Sequence, residues 1–97
     1  MKAGIFLTGT GPIVILTNFE SLTDPKLVEK LASKGIRKFV AYELPLEKVI
    51  QRYGEHYRLV LEDLKQTDDC RVLDFNGHSV LQNFSFSDWG NPQYHEG

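Results

Sequence analysis

Asp74, His78 and Ser79 are the ingredients of a hydrolase triad, and they lie close together in the chain. The residues between them decide whether they can act as one. Asn76-Gly77 sits between Arg71-Val72-Leu73-Asp74-Phe75 and His78-Ser79-Val80-Leu81-Gln82-Asn83-Phe84. Asn-Gly is the preferred pair for a type I′ hairpin turn, because both residues tolerate positive φ. A two-residue loop sets Phe75 opposite His78, Leu73 opposite Val80 and Arg71 opposite Gln82. Asp74 and Ser79 then share one sheet face while His78 points to the other, so the imidazole cannot bridge them. No Gly-x-Ser-x-Gly elbow presents a nucleophile either. The expected roles are turn polarity for His78 and a cross-strand hydrogen bond between Asp74 and Ser79.

A metal site would have to draw on His56, Cys70, His78 and His95 with Asp68 and Asp69. Their spacings match no zinc or calcium pattern, and one cysteine supplies no paired thiolates. Cys70 has carboxylate neighbours that oppose a thiolate, with only Arg71 to favour it. We expect no catalytic residues, no metal and no cofactor, and hence no enzyme.

Gly9-Thr10-Gly11-Pro12 resembles a phosphate loop at first sight. A Walker loop needs a closing Gly-Lys-Ser/Thr and a following helix, and a dinucleotide fingerprint needs a third glycine. Here Pro12 and an apolar run follow, and Val14 stands where the third glycine would fall. A plain hairpin turn is the expectation, with Gly9 and Gly11 supplying positive φ. An anion or nucleotide held by Gly9, Thr10 and Gly11 is the alternative. Lys26, Lys30 and Lys34 recur every fourth residue and line one helical ridge, which Arg37 and Lys38 extend. Such a ridge is a solvated face or a dock for an acidic or phosphate-bearing partner. It carries no interleaved aromatics, so nucleic acid is not the expected partner. Trp89 and Tyr94, large aromatics in a polar setting, either strap onto the core or anchor an interface.

These residues need elements to hold them. Ala3 to Thr8 and Ile13 to Thr17 are apolar at successive positions, the pattern of strands covered on both faces. Asp24-Pro25 opens a helix as cap and first residue, Leu27, Val28, Leu31 and Ala32 form its stripe, and Gly35 ends it with Ile36 folding back on Leu31. Lys38 to Leu44 reads as a third strand. Pro45 starts a short helix with Leu46, Val49, Ile50 and Tyr53 on one face, ended by Gly54. Tyr57 to Leu61 reads as a fourth strand, followed by the Asn-Gly hairpin, whose core face carries Leu73, Phe75, Val80, Phe84 and Phe86. The order ββαβαβββ predicts an α+β fold, a mostly antiparallel sheet with both helices largely on one face. Residues 1–86 form the single domain, and 87–97 a polar, aromatic-containing tail.

The chain has 97 residues, enough for one core, and a formal charge of −2. Residues 1–53 hold 8 basic and 5 acidic side chains, net +3, and residues 54–97 hold 3 and 8, net −5. Such asymmetry steers partners more than it shapes a fold. A lone cysteine fits a reducing compartment, and no stretch reaches secretory or membrane-spanning length, so the expected location is cytoplasmic, away from membranes.

Gly-Ile-Phe-Leu-Thr-Gly-Thr-Gly-Pro-Ile at 4–13, Lys-Gly-Ile-Arg-Lys-Phe-Val-Ala-Tyr-Glu at 34–43 and Val-Leu-Asp-Phe-Asn-Gly at 72–77 resemble small uncharacterised cytosolic proteins of cyanobacteria. The resemblance implies a small accessory protein and transfers no site residue. The residues themselves point to a non-enzymatic accessory or protein-binding module that docks on a protein partner or a second copy of itself. Its candidate binding residues are Trp89, Tyr94, Lys26, Lys30, Lys34, Arg37 and Lys38. The runner-up is a small-ligand domain using the Gly9–Gly11 turn or the lysine ridge.

Overall fold

The opening hairpin lies in the middle of the sheet. In a computed structural model, which describes residues 1–65, 69–75 and 84–96, β1 (Lys2–Thr8) pairs antiparallel with β2 (Gly11–Thr17) and with β3 (Phe39–Leu44). β4 (Cys70–Asp74) joins the outer side of β2, and β5 (Gln93–His95) the outer side of β3, in the order β4-β2-β1-β3-β5. Two helices, α1 (Pro25–Ser33) and α2 (Leu46–Leu64), complete a single α+β domain with an antiparallel five-stranded sheet.

The unbroken apolar runs do what their pattern predicts. Ala3, Ile5, Val14 and Leu16 enter one buried cluster, and Phe6, Ile13 and Ile15 enter another on the opposite face. The first cluster is closed by Val49 and Leu64 of α2 with Leu73 and Phe84, and the second by Leu27 and Leu31 of α1 with Leu22. The helices therefore sit on opposite faces, where the sequence predicted them largely on one. The connections explain why. α1 carries the chain from β2 across β1 to β3, and α2 returns it from β3 across β1 and β2 to β4. Two crossings on one face would collide, and strands apolar on both faces would leave the other bare.

α1 follows its sequence signals. The Asp24 carboxylate accepts the Lys26 amide at 2.9 Å, with Pro25 in the first turn. At the other end Gly35, at φ +88°, donates its amide to Ala32, and Ile36 donates to Leu31 at 2.9 Å, a Schellman closure.

α2 departs from its prediction. Gly54 does leave helical geometry, at φ +44° and ψ −112°, but the helix resumes beyond it. Tyr57–Leu61, read as a strand from a five-residue alternation, is helical. Tyr53, Tyr57, Val60, Leu61 and Leu64 pack on the same cluster, and their spacing of three and four is the helical period. The alternation was an accident of Arg58 and an exposed Leu59.

The predicted hairpin is described only in its first arm, as β4; Asn76-Gly77 and most of the second arm lie outside the described residues. Leu73 and Phe84 are buried as expected, whereas Phe75, assigned to the core face, is exposed, and Val72 packs with the α1-side cluster. The stretch read as an aperiodic tail contributes β5. Among the described residues, no helix is long and apolar enough to cross a membrane.

Candidate functional site

At the hairpin-tip end of the sheet, strand register places Leu7 opposite Val40 and Val40 opposite Tyr94. Residues directly opposite one another on neighbouring strands share a face. Leu7 belongs to the α2-side cluster, so this row lies on that face. Pro12, opposite Leu7 across the hairpin, extends it. Leu7 and Val40 are half-buried and Tyr94 is 65% exposed, which leaves an apolar shelf. A groove of about 520 Å³ at this strand end is lined by Leu7, Gly9, Lys38, Phe39, Val40, Tyr94, His95 and Glu96. His95 turns to the other face, its ring 5.3 Å from that of Phe39.

Beside the groove, the reversal between β1 and β2 meets the chain leaving α1. Gly9 and Thr10 form the turn, and Thr8, Gly9, Thr10, Gly35, Ile36, Arg37 and Lys38 line a hollow of about 240 Å³. Only Gly11 of the two turn glycines takes positive φ, at +119°, so the expectation for Gly9 is corrected. The loop spends its polar groups on itself: Thr8 Oγ1 donates to the Gly11 carbonyl at 2.8 Å and accepts the Thr10 amide at 3.2 Å. Among the described residues no helix N-terminus borders it; the neighbouring end of α1 is its carbonyl end, where cations are favourable.

The lysine ridge is less uniform than its spacing. Lys30 is drawn to Asp69 at 3.5 Å, while Lys26 and Lys34 stay exposed. Asp69 also accepts from Arg71 at 2.7 Å and from the Cys70 amide at 2.7 Å. Partial burial pushes its carboxyl upward, but Arg71, the Cys70 amide and Lys30 together outweigh that and hold it at about 2. Lys26 and Lys30 border a separate hollow of about 470 Å³ with Phe19, Glu29 and Ser33, so an acid flanks the ridge. Structure thus joins Lys38 to Tyr94, joins Arg37 and Lys38 to the Gly9–Thr10 turn, and separates Lys26 and Lys30 from them.

Trp89 packs against the domain. Its ring lies 5.0 Å from that of Tyr42, it joins the α2-side cluster, and the Gly90 amide donates to the Glu43 carbonyl at 2.9 Å. Asp74 accepts from Tyr53 Oη at 3.1 Å; His78 and Ser79 lie outside the described residues. Burial, followed by the charge of Asp74, pushes the Tyr53 phenol upward. Cys70 is buried, and that burial raises its thiol above the ordinary range. Among the described residues, no three His, Cys, Asp or Glu side chains come together to hold a metal ion.

Sequence reasoning named Tyr94 and Lys38 but missed the shelf, because a three-residue strand such as Gln93–His95 has too little alternation to be read. The molecule is thus a small two-crossover α+β domain with an apolar, cation-bordered shelf at one sheet edge. No family model, curated protein or solved structure matches the chain.

Proposed function

We propose that this chain is a small non-enzymatic protein-binding module, and that its partner docks on the shelf formed by Leu7, Val40 and Tyr94. The observation that carries the reading is the cross-strand row itself, ending in an aromatic that is 65% exposed at the edge of the sheet. A tyrosine held by strand pairing loses little freedom on binding and offers both apolar area and a hydroxyl, the qualities of an interface anchor. Both faces of the opening strands are otherwise covered by this chain's own helices, so the support lies at the strand end.

A photo-crosslinking side chain placed at position 94 tests the reading in a native lysate. The expected result is one saturable adduct, competed by unlabelled protein and lost in Val40→Asp, with no counterpart when the probe sits at the exposed Gln51. Adducts that are absent, or equal from both positions, would refute it.

The second reading, a small-anion site, draws on the adjacency of Thr10, Arg37 and Lys38 around the smaller hollow. Against it stand the carbonyl end of α1 and a turn whose hydroxyls are engaged with each other. Amide shifts at Thr10 and Lys38 on titration with inorganic phosphate would favour it over a protein partner.

A further inference from the structure

β5 is three residues long, stands at the edge of the sheet, and pairs with β3 on its inner side. Alternate backbone groups of such a strand point outward, where an extended segment of another chain can add to the ladder. The surface beside it has a definite charge. Most cations of the described residues are matched: Lys2 by Glu43, Lys30 and Arg71 by Asp69, Lys48 by Asp88, Arg58 by Glu55 and Lys65 by Glu62. Lys26, Lys34, Arg37, Lys38 and Arg52 are exposed and make no ion pair among the described residues. Of these, Arg37 and Lys38 border the hollow beside the β1–β2 turn and Lys38 also borders the groove, whereas the charge of Lys34 acts on Cys70 at the β4 side. Glu96 is the acid at this groove and offsets one of them. The acids Asp69 and Asp74 sit on or beside β4, at the far edge of the sheet.

We infer that the docking segment is an extended, acidic stretch of a partner protein that adds alongside β5. Its alternate apolar side chains continue the Leu7–Val40–Tyr94 row from beside Tyr94, and its carboxylates face toward Arg37 and Lys38. The inference rests on the reading of the shelf as a protein-binding surface and adds the partner's chemistry. Strand addition provides affinity through main-chain bonds and specificity through the alternate side chains, while the exposed cations select by charge and respond to salt.

Fluorescent peptides that alternate Val with Asp, Asn or Lys test it by anisotropy against the whole chain. The Asp series should bind about 5-fold more tightly than the Asn series, as two exposed ion pairs would give, and the Lys series more weakly still. The preference should fade as salt rises and reverse in the Arg37→Glu/Lys38→Glu variant, whose melting curve checks its fold. Amide exchange should slow at Gln93–His95 in the complex. Tyr94→Ser, an exposed change that leaves the core alone, should weaken all series together. Equal binding of the Asp and Asn series, or a preference that survives charge reversal, would overturn the inference while leaving the position-94 adduct standing. Loss of both peptide binding and the adduct would sink the protein-binding reading itself. Self-association that is abolished by the same charge reversal would assign the edge to a second copy of the chain and overturn the acidic-partner proposal.

Discussion

Gly4 lies in the central strand with nothing of its own to pack, and the reason is a neighbour. A Cβ built there would meet Leu22 Cδ1 at 2.7 Å, the Tyr42 carbonyl at 3.1 Å and Leu22 Cδ2 at 3.2 Å. Leu22 comes from the connection between β2 and α1, is fully buried, and closes the α1-side cluster over this spot. The glycine thus marks a close approach of core to backbone. Gly4→Ala forces Leu22 off its seat, and overpacking of this kind costs about 1–3 kcal/mol. For a domain of this size each kcal/mol lowers Tm by about 4–8 °C. Thermal and urea unfolding followed by circular dichroism should show that loss with an unchanged m-value. Leu22→Ala alone should cost about 2–5 kcal/mol by leaving a cavity. In that background Gly4→Ala should cost less but not nothing, since the Tyr42 carbonyl is backbone and cannot swing away. A full, additive cost in the double mutant, or no cost in the single one, would refute the packing argument.

Two further outcomes follow from named groups. Asp69 is held at about 2, below the ordinary carboxylate value of 3.8, so its ion pairs with Arg71 and Lys30 contribute stability above about pH 4. That contribution is lost as pH falls through 2; after allowance for solvent screening it is on the order of 1 kcal/mol, and Asp69→Asn should flatten the acid limb of stability against pH. At Gly54, φ +44° and ψ −112° exclude side chains without strain, so Gly54→Ala should cost about 1–2 kcal/mol in urea unfolding despite alanine's helix propensity. A stabilised variant would mean that the two segments of α2 straighten into one helix.

The legible parts of the fold were those where local chemistry and tertiary need agree. Asp24-Pro25 and Gly35-Ile36 bracket α1 because caps are local, and they appear in the structure as read. The opening strands announced two covered faces, but which helix covers which face depends on how connections cross, and that is not local. α2 misled for the opposite reason. Gly54 was a correct break and a wrong terminus, because Tyr57, Val60, Leu61 and Leu64 gain burial by resuming the helix against the cluster that Val49 already touches. Trp89 and Tyr94 look alike in the sequence. Only the pairing of Val40 with Tyr94, and the packing of Trp89 on Tyr42, separates the packed ring from the exposed one.

The site's position is a consequence of the same topology. α1 crosses one face and ends at Ser33, and α2 crosses the other on its way to the far edge, leaving the hairpin-tip corner beside β3 only half-buried at Leu7 and Val40. β5 reaches that corner as the chain ends its pairing with Phe39, Val40 and Ala41, and its outer side is an edge that many proteins blunt with charge. Arg37 and Lys38 stand near that corner, where such blunting charges would serve, and in the acidic-partner proposal they also select what adds there. The two roles separate by experiment. Charges that only guard the edge would, when neutralised, increase self-association without changing any peptide preference, whereas selective ones must change the order in which acidic and neutral strands bind.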